Sequence, residues 1–301
     1  MKLGLFAVNV GAGASAAQAR ATAVLAEELG LESLRAIDHV VMPSGYETEY
    51  PYDESGKMMG GAEEVEIADP LTWLAFAAAV TRDIKLATGV IVLPQRNPVV
   101  LAKQAATLDV LSEGRLLLGV GVGWLAEEFD AVGVPFADRG RRHDDYVEAM
   151  RALWRDTKAS VHNTYTNFDN AISLPQPAGR AVPIVIGGRS NRSARRAAEI
   201  GDGYFPSITE PHQLSPLLDI MNAESARLQR DPAGIEVTVP YPGGPAELAA
   251  AAVGDTAALD RVVAQLQQFA ELGVARTLLA GLVEDTLRPL LKQLAYRIDL
   301  S

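Results

Sequence analysis

Short apolar segments alternate with helix-like segments from one end of the chain to the other, and this alternation restricts the possible folds more than any other feature. Eight segments are typical of strands, and they span 3–10, 32–37, 84–92, 115–122, 183–186, 203–206, 235–239 and 275–279. Strands that alternate with helices predict a parallel sheet, and eight such units predict closure into a barrel. We therefore expect an α/β fold, a (β/α)8 TIM-type barrel with a small β-hairpin insertion at 161–174 before the fifth strand. An open doubly wound sheet is the alternative.

The chain has the length and composition of a single globular domain. Its 301 residues lie within the range of one α/β barrel, and no linker or low-complexity tail interrupts the pattern, so we predict one domain over 1–301. The apolar start, 1–8, resembles a short signal peptide, but Asn9 and the following glycines break it early. No apolar stretch approaches the ~20 residues that span a bilayer. We expect a cytoplasmic protein without a membrane partner.

Charge and cysteine content exclude several classes of function. The formal net charge is -11, which disfavours nucleic acid as a partner, because phosphates need a basic surface. The absence of cysteine excludes disulfides, thiolate metal ligands and cysteine nucleophiles. The histidines lack the i, i+4 spacing of a helical zinc site, and they are His39, His143, His162 and His212. We expect a small-molecule ligand and no metal.

Asp38 and His39 end the second predicted strand, and barrel enzymes carry their working groups at such carboxyl ends. His39 is a candidate general acid or base near neutral pH, and Asp38 is a candidate to orient it or to bind a ligand. The alternative is that Asp38 caps a turn and His39 only packs.

Glycine occurs at the ends of the next two predicted strands. Thr88, Gly89 and Val90 lie in the third, where a glycine marks either a close approach to a ligand or a bend in the barrel. The fourth ends in a glycine-rich string with Gly119, Gly121 and Gly123. This string does not match the dinucleotide-binding fingerprint. We expect it to keep the barrel mouth open for a flat ring, with Trp124 either walling that ring or packing in the core.

The segment after the fifth predicted strand is a candidate anion site. Gly187 and Gly188 lead through Arg189 and Ser190 into a helix, whose N–H groups and dipole favour a phosphate. The basic run locally reverses the acidic character of the chain, with Arg189, Arg192, Arg195 and Arg196. The alternative is a solvated basic helix face.

A long segment without predicted secondary structure, 43–69, exceeds the usual ~12–15 residue limit for such connections. Its length indicates a lid or a binding loop. Tyr46, Tyr50 and Tyr52 lie within it, and they either contact a substrate or anchor the loop.

Several of these segments together resemble the luciferase-like monooxygenase superfamily. The resemblance is carried, in order, by 32–40, 86–94, 102–109, 112–124, 139–142 and 183–188. Within the superfamily the chain most resembles the branch that uses the deazaflavin coenzyme F420.

The resemblance implies a barrel with the hairpin insertion, often paired as a homodimer. It also implies a cis peptide at Gly89–Val90 that presses on the back face of the deazaflavin ring. The coenzyme phosphate would lie near 187–190. Asp38 would meet polar groups of the coenzyme, and His39 would sit close to the reacting carbon.

The chain departs from this branch at Trp124. The sugar-phosphate dehydrogenases of the branch place a catalytic glutamate there, whereas the nearest acids here are Glu127 and Glu128. Glucose-6-phosphate oxidation is therefore disfavoured, and we expect Trp124, Tyr46, Tyr50 and Glu127 to line a more apolar pocket. The resemblance implies hydride transfer between F420 and a small organic substrate. The alternatives are an FMN-dependent monooxygenase and a non-catalytic flavin- or deazaflavin-binding protein.

Overall fold

The structure, a computed structural model, describes residues 1–207 and 210–298. The strands within them are, in chain order, β1 (Lys2–Phe6), β2 (Ser33–Ala36), β3 (Lys85–Thr88), β4 (Ile91–Val92), β5 (Leu116–Gly121), β6 (Ala159–His162), β7 (Asn167–Ala171), β8 (Ile184–Gly187), β9 (Gly203–Phe205), β10 (Glu236–Pro240) and β11 (Val274–Ala280). The α-helices are α1 (Ala16–Glu28), α2 (Pro70–Ala78), α3 (Pro98–Leu111), α4 (Ala126–Ala131), α5 (Arg139–Arg155), α6 (Asn191–Ile200), α7 (Pro211–Arg227), α8 (Gly244–Ala252), α9 (Thr256–Glu271) and α10 (Glu284–Ala295).

The parallel strands close into a barrel, as predicted. The strands follow one another in the order β3, β2, β1, β11, β10, β9, β8 and β5, and β5 pairs again with β3, which closes the barrel. β3 and β4 are two halves of one predicted strand, interrupted at Gly89–Val90. The antiparallel pair β6–β7 forms the predicted hairpin before β8. Residues 299–301, the end of the predicted domain, lie outside the described residues.

The large apolar core lies between the barrel wall and the helices, and it includes Leu34, Leu74, Leu101, Trp154 and Leu266. Proline or polar caps begin many of these helices: Asp69 caps α2 and Asn97 caps α3, each with a proline at the first turn. No helix in the described part of the chain is long and apolar enough to cross a membrane.

The lumen of the barrel is unusual because one of its inward rows contains a charged side chain. Phe6 pairs in register with Arg35, Arg35 with Ala87, and Ala87 with Leu117, so these four side chains point to the same face of the sheet. Phe6 and Leu117 pack on a small apolar cluster that also contains Phe205. This row lies beneath the carboxyl ends of the strands, where the candidate site is.

Candidate functional site

The Gly89–Val90 peptide is cis, as the resemblance implied, and the Val90 side chain occupies space that neighbouring glycines leave. A Cβ on Gly187 would lie 2.7 Å from Cγ1 of Val90, and a Cβ on Gly121 would lie 2.7 Å from Cγ2. A Cβ on Gly119 would collide with the carbonyl oxygen of Thr88, at 2.0 Å. These glycines are therefore required by Val90 and by strand packing, in addition to any ligand. The same contacts place Gly89–Val90 and Gly187 side by side.

Val90 is half-buried and forms the floor of the barrel mouth. Beneath it, Thr88 is fully buried and donates its hydroxyl to the carbonyl of Gly119, 2.7 Å away. This bond ties the end of β3 to β5. The floor is thus held by the barrel wall and leaves one apolar side chain facing the mouth.

His39 and Glu128 form a sheltered pair beside this floor. Nδ1 of His39 lies 3.1 Å from Oε2 of Glu128, and the side chains are only 9% and 1% exposed. Glu128 also accepts the backbone N–H of Val40 at 2.6 Å and that of Val41 at 3.3 Å. Burial alone would raise the pKa of Glu128, but the hydrogen bonds and charge of His39, together with bonds from Gln95 and Val40, lower it. Glu128 is therefore an ionised acceptor that orients the imidazole.

Asp38 makes no hydrogen bond to His39 in the described residues, so it does not orient that ring, and its expected contact with a coenzyme stays a prediction. Its carboxylate accepts the N–H of Val92 at 2.9 Å and pairs with Nη2 of Arg96 at 2.6 Å. Burial raises the pKa of Asp38, against the lowering effect of Arg96 and the Val92 N–H. Asp38 fixes the backbone at Val92, two residues after Val90, and Glu128 is the carboxylate that contacts His39.

Aromatic side chains of the 43–69 segment cover the mouth from one side. Trp124 packs edge-on against His39, Tyr46 and Tyr50, at ring-centroid distances of 6.0, 5.5 and 5.0 Å. Tyr46 is buried, and its hydroxyl accepts the N–H of Met58 at 3.0 Å. The structure brings Trp124, Tyr46 and Tyr50 of the expected pocket lining together beside His39, and their contact with a substrate stays a prediction.

Glu127 anchors this segment and does not face the aromatic cluster through any hydrogen bond in the described residues. Its carboxylate accepts the N–H groups of Glu47 and Thr48, at 2.7 and 3.1 Å, and the Thr48 hydroxyl at 2.6 Å. These bonds, led by that of the Thr48 hydroxyl, lower the pKa of Glu127 to about 2. Glu127 thereby fixes the loop over the barrel.

The start of α6 has the predicted position but a different charge balance. Ser190 caps the helix in a reciprocal bond with Ser193, and Gly188, with φ near 115°, makes the turn after β8. Arg196 and Arg192 pair with Asp144 of α5, with distances of 2.5 and 3.3 Å. Two arginines of the basic run are therefore neutralised within the fold.

Arg189 reaches in the other direction, to the 43–69 segment. Its guanidinium donates to the carbonyl of Pro51 and lies 5.0 Å from the ring centroid of Tyr52. It also borders a cavity of about 340 Å³ at the rim of the mouth, lined by Tyr52, Asp53, Glu54, Arg189, Glu210, Gln213 and Pro242. The loop therefore bridges from Trp124 across to the end of β8.

Sequence reasoning missed the roles of Glu128 and Arg35. The sequence marks Glu128 only as one of the two acids nearest to Trp124. Arg35 lies in the second predicted strand, 32–37, and only its charge distinguishes it from the apolar residues on either side of it.

Comparison with known proteins gives the family. The luciferase-like monooxygenase family model matches residues 1–277. An uncharacterised protein of Mycobacterium tuberculosis is 32% identical over 195 residues, 64% of this chain and 68% of that protein. The FMNH2-dependent dimethylsulfone monooxygenase of Pseudomonas fluorescens is 28% identical over 211 residues, 69% of this chain and 52% of that enzyme, so the chain spans about half of its length.

A solved structure extends the likeness over the whole fold. An F420-dependent secondary alcohol dehydrogenase, in complex with an F420–acetone adduct, superimposes with a TM-score of 0.77 over 99% of both chains, at 18% identity. At this identity the likeness concerns the fold alone, whereas the family model covers most of the sequence. The chain therefore belongs to the luciferase-like monooxygenase family of oxidoreductases.

Proposed function

We propose that this protein transfers a hydride between the deazaflavin coenzyme F420 and a small organic substrate. The observation that carries the proposal is the His39–Glu128 pair beside the Val90 floor. Hydride transfer to or from a carbon–oxygen bond requires a proton to be given to or taken from the oxygen. A histidine oriented by a carboxylate is suited to that task near neutral pH.

The residues present fit a flat tricyclic ring. The half-buried Val90 offers an apolar face, and the neighbouring Gly121 and Gly187 place no side chain against it. The guanidinium of Arg35, which pairs with no carboxylate among the described residues, lies below the same floor. Gly188 and Ser190 at the start of α6 are the residues that would hold a phosphate. When bound, the coenzyme supplies or accepts a hydride at a ring carbon.

The chain's own contribution is positioning and proton transfer. Glu128 holds Nδ1 of His39, which leaves Nε2 as the nitrogen that serves the substrate oxygen. Reduction of a carbonyl would draw a proton from Nε2, and oxidation of an alcohol would return one to it. Trp124 packs against the imidazole ring and Tyr50 packs against Trp124, so the substrate would lie beside aromatic rings, which favours a small apolar or aromatic substrate.

A second candidate is an FMN-dependent monooxygenase. This function is favoured by sequence identity, which is 28% to the FMNH2-dependent enzyme of Pseudomonas fluorescens and 18% to the F420-dependent dehydrogenase. The same floor and phosphate-binding residues would serve FMN. The two functions differ in the coenzyme that binds and in the need for oxygen.

A parallel titration separates them. Purified protein is titrated with F420 and with FMN, and tryptophan fluorescence gives both dissociation constants. We expect F420 to bind in the micromolar range or tighter, and FMN to bind more weakly. Coenzyme reduction is then followed anaerobically with a panel of secondary alcohols. Tight binding of FMN alone, with oxygen-dependent turnover, would replace the first proposal by the second; binding without any turnover would indicate a carrier.

A further inference from the structure

Arg35 is a charged side chain enclosed in the barrel lumen. It is fully buried, and Nη1 makes its only hydrogen bond among the described residues, a long one of 3.3 Å to the carbonyl of Thr88. Nε and Nη2 have no hydrogen-bond partner there. The guanidinium carbon lies 4.9 Å from the ring centroid of Phe205. The charge is thus held by a carbonyl and an aromatic face alone.

No carboxylate in the described residues pairs with Arg35, although the lumen contains a second arginine that is paired. Arg276 contacts Glu32 through two nitrogens and Glu236 at 3.3 Å. Burial, and then the charge of Arg276, lower the pKa of Arg35 to about 9, with Glu32 acting in the opposite direction. The guanidinium therefore remains charged at neutral pH. Only one of the two arginines is compensated.

The uncompensated charge lies directly under the floor of the mouth. A Cβ on Gly89 would lie 2.6 Å from both Cγ and Cδ of Arg35, so the arginine stem touches the cis peptide from below. The lumen of such barrels is generally filled by branched apolar residues. An unpaired buried charge destabilises the free protein, which a ligand of opposite charge would relieve.

We propose that Arg35 stabilises the negative charge that a ring bound over Gly89–Val90 gains on reduction. This inference rests on the proposed function. A hydride equivalent consists of two electrons and one proton, so its addition leaves the ring system one unit more negative. A cation held in a dry site beneath that ring favours the reduced form over the oxidised form. The role of Arg35 would thus be electrostatic, and it is separate from the proton transfer at His39.

The test compares two variants of the holoprotein with wild type. Arg35→Met removes the charge and keeps the volume, and Arg35→Lys keeps a charge. The midpoint potential of bound F420 and the dissociation constants of its oxidised and reduced forms are measured, and the same is done with FMN. We expect the preference for the reduced form to fall at least about tenfold in Arg35→Met, which lowers a two-electron potential by about 30 mV. Arg35→Lys should retain most of that preference.

A readout on the free protein separates this role from a structural one. Without coenzyme, Arg35→Met should melt no lower than wild type, because it removes an unpaired buried charge. A clear loss of stability in the free variant, or an unchanged potential in the loaded one, would overturn the inference while leaving the proposed function standing. If wild-type protein binds neither coenzyme, the proposed function fails and the inference fails with it.

Discussion

His39 follows β2 and Glu128 lies on α4 after β5, the two strands that flank β3 in the barrel, and the pair orients one nitrogen of the imidazole. Removing the imidazole in His39→Ala should lower kcat by about 10²–10⁴, the usual contribution of a positioned acid or base. The dissociation constant of the coenzyme should change little, because the floor is formed by other residues. Glu128→Gln keeps the shape of the side chain but loses its charge, and its kcat should lie between those of wild type and His39→Ala. Steady-state kinetics give kcat, and titration gives the dissociation constant of the coenzyme. Unchanged turnover in His39→Ala would show that His39 is not the acid or base.

Gly187 tests whether the floor carries the coenzyme site. In Gly187→Ala the new Cβ would lie 2.7 and 3.0 Å from the two methyl groups of Val90, so Val90 must move. We expect coenzyme affinity to fall at least about tenfold and the free energy of unfolding to fall by about 1–3 kcal/mol, as for other overpacked sites. The matched control is Gly234→Ala, which has open space around it. Equal affinity in both variants would contradict a site over Val90.

Residue types and positions along the chain were enough to predict that Asp38 and His39 stand together at a strand end. They were not enough to predict which partner each one takes. Asp38 binds Arg96, 58 positions later, and His39 faces Glu128, 89 positions later. Such pairings depend on how loops of different strands fold over one mouth. No spacing rule in a single sequence encodes them.

At the scale of elements, Asp144 joins α5 to α6. Burial raises its pKa, but hydrogen bonds from His143 and Arg196 outweigh that effect and lower the pKa to about 2. A carboxylate whose pKa is depressed on folding stabilises the fold above its unfolded value near 3.8. That stabilisation is lost as the pH falls through about 2. Asp144→Asn should therefore lower the free energy of unfolding at pH 7 by about 2 kcal/mol.

Denaturant unfolding from pH 7 down to pH 3 measures this effect. The difference between wild type and Asp144→Asn should stay constant down to about pH 5 and narrow below it, because the carboxylate of the unfolded wild-type chain then begins to protonate while the folded one stays ionised. Asp260→Asn, which breaks an exposed pair with Arg297, is the control and should change stability little. A pH-independent difference would show that packing, and not the ionised carboxylate, joins the helices.

Helix starts were predictable where a side chain caps them. Ser15, Asp69, Asn97 and Asp255 each accept a backbone N–H at the first turn of the helix that follows. α4 and α8 have no such side-chain cap, so the sequence does not mark where they begin. The first turn of α5, 139–142, also has no side-chain cap, and its polar residues show no apolar periodicity. The start of a helix can therefore be predicted from the sequence where a side chain caps it, and not where the cap is absent.

Over the whole molecule, negative charge is concentrated at the mouth. The 43–69 segment contains eight acidic residues and one lysine, which accounts for -7 of the net charge of -11. Asp53 and Glu54 border the rim cavity, where Arg189 is the cationic member of the lining. A field of this sign repels an approaching anion, and salt screens it over about 8 Å at physiological ionic strength.

The association rate of a phosphate-bearing coenzyme should therefore rise as ionic strength increases, opposite to the behaviour of a basic binding site. Replacing two acids of the rim together, Asp53→Asn and Glu54→Gln, should raise the rate at low salt and flatten its salt dependence. The matched control removes the same charge at the opposite end of the barrel, with Glu113→Gln and Glu271→Gln, and should leave the slope near that of wild type. Stopped-flow fluorescence with FMN or F420 measures each slope. A rate that falls with salt in the wild type would mean that the arginines at the start of α6, and not the acidic segment, dominate the field that an incoming phosphate meets.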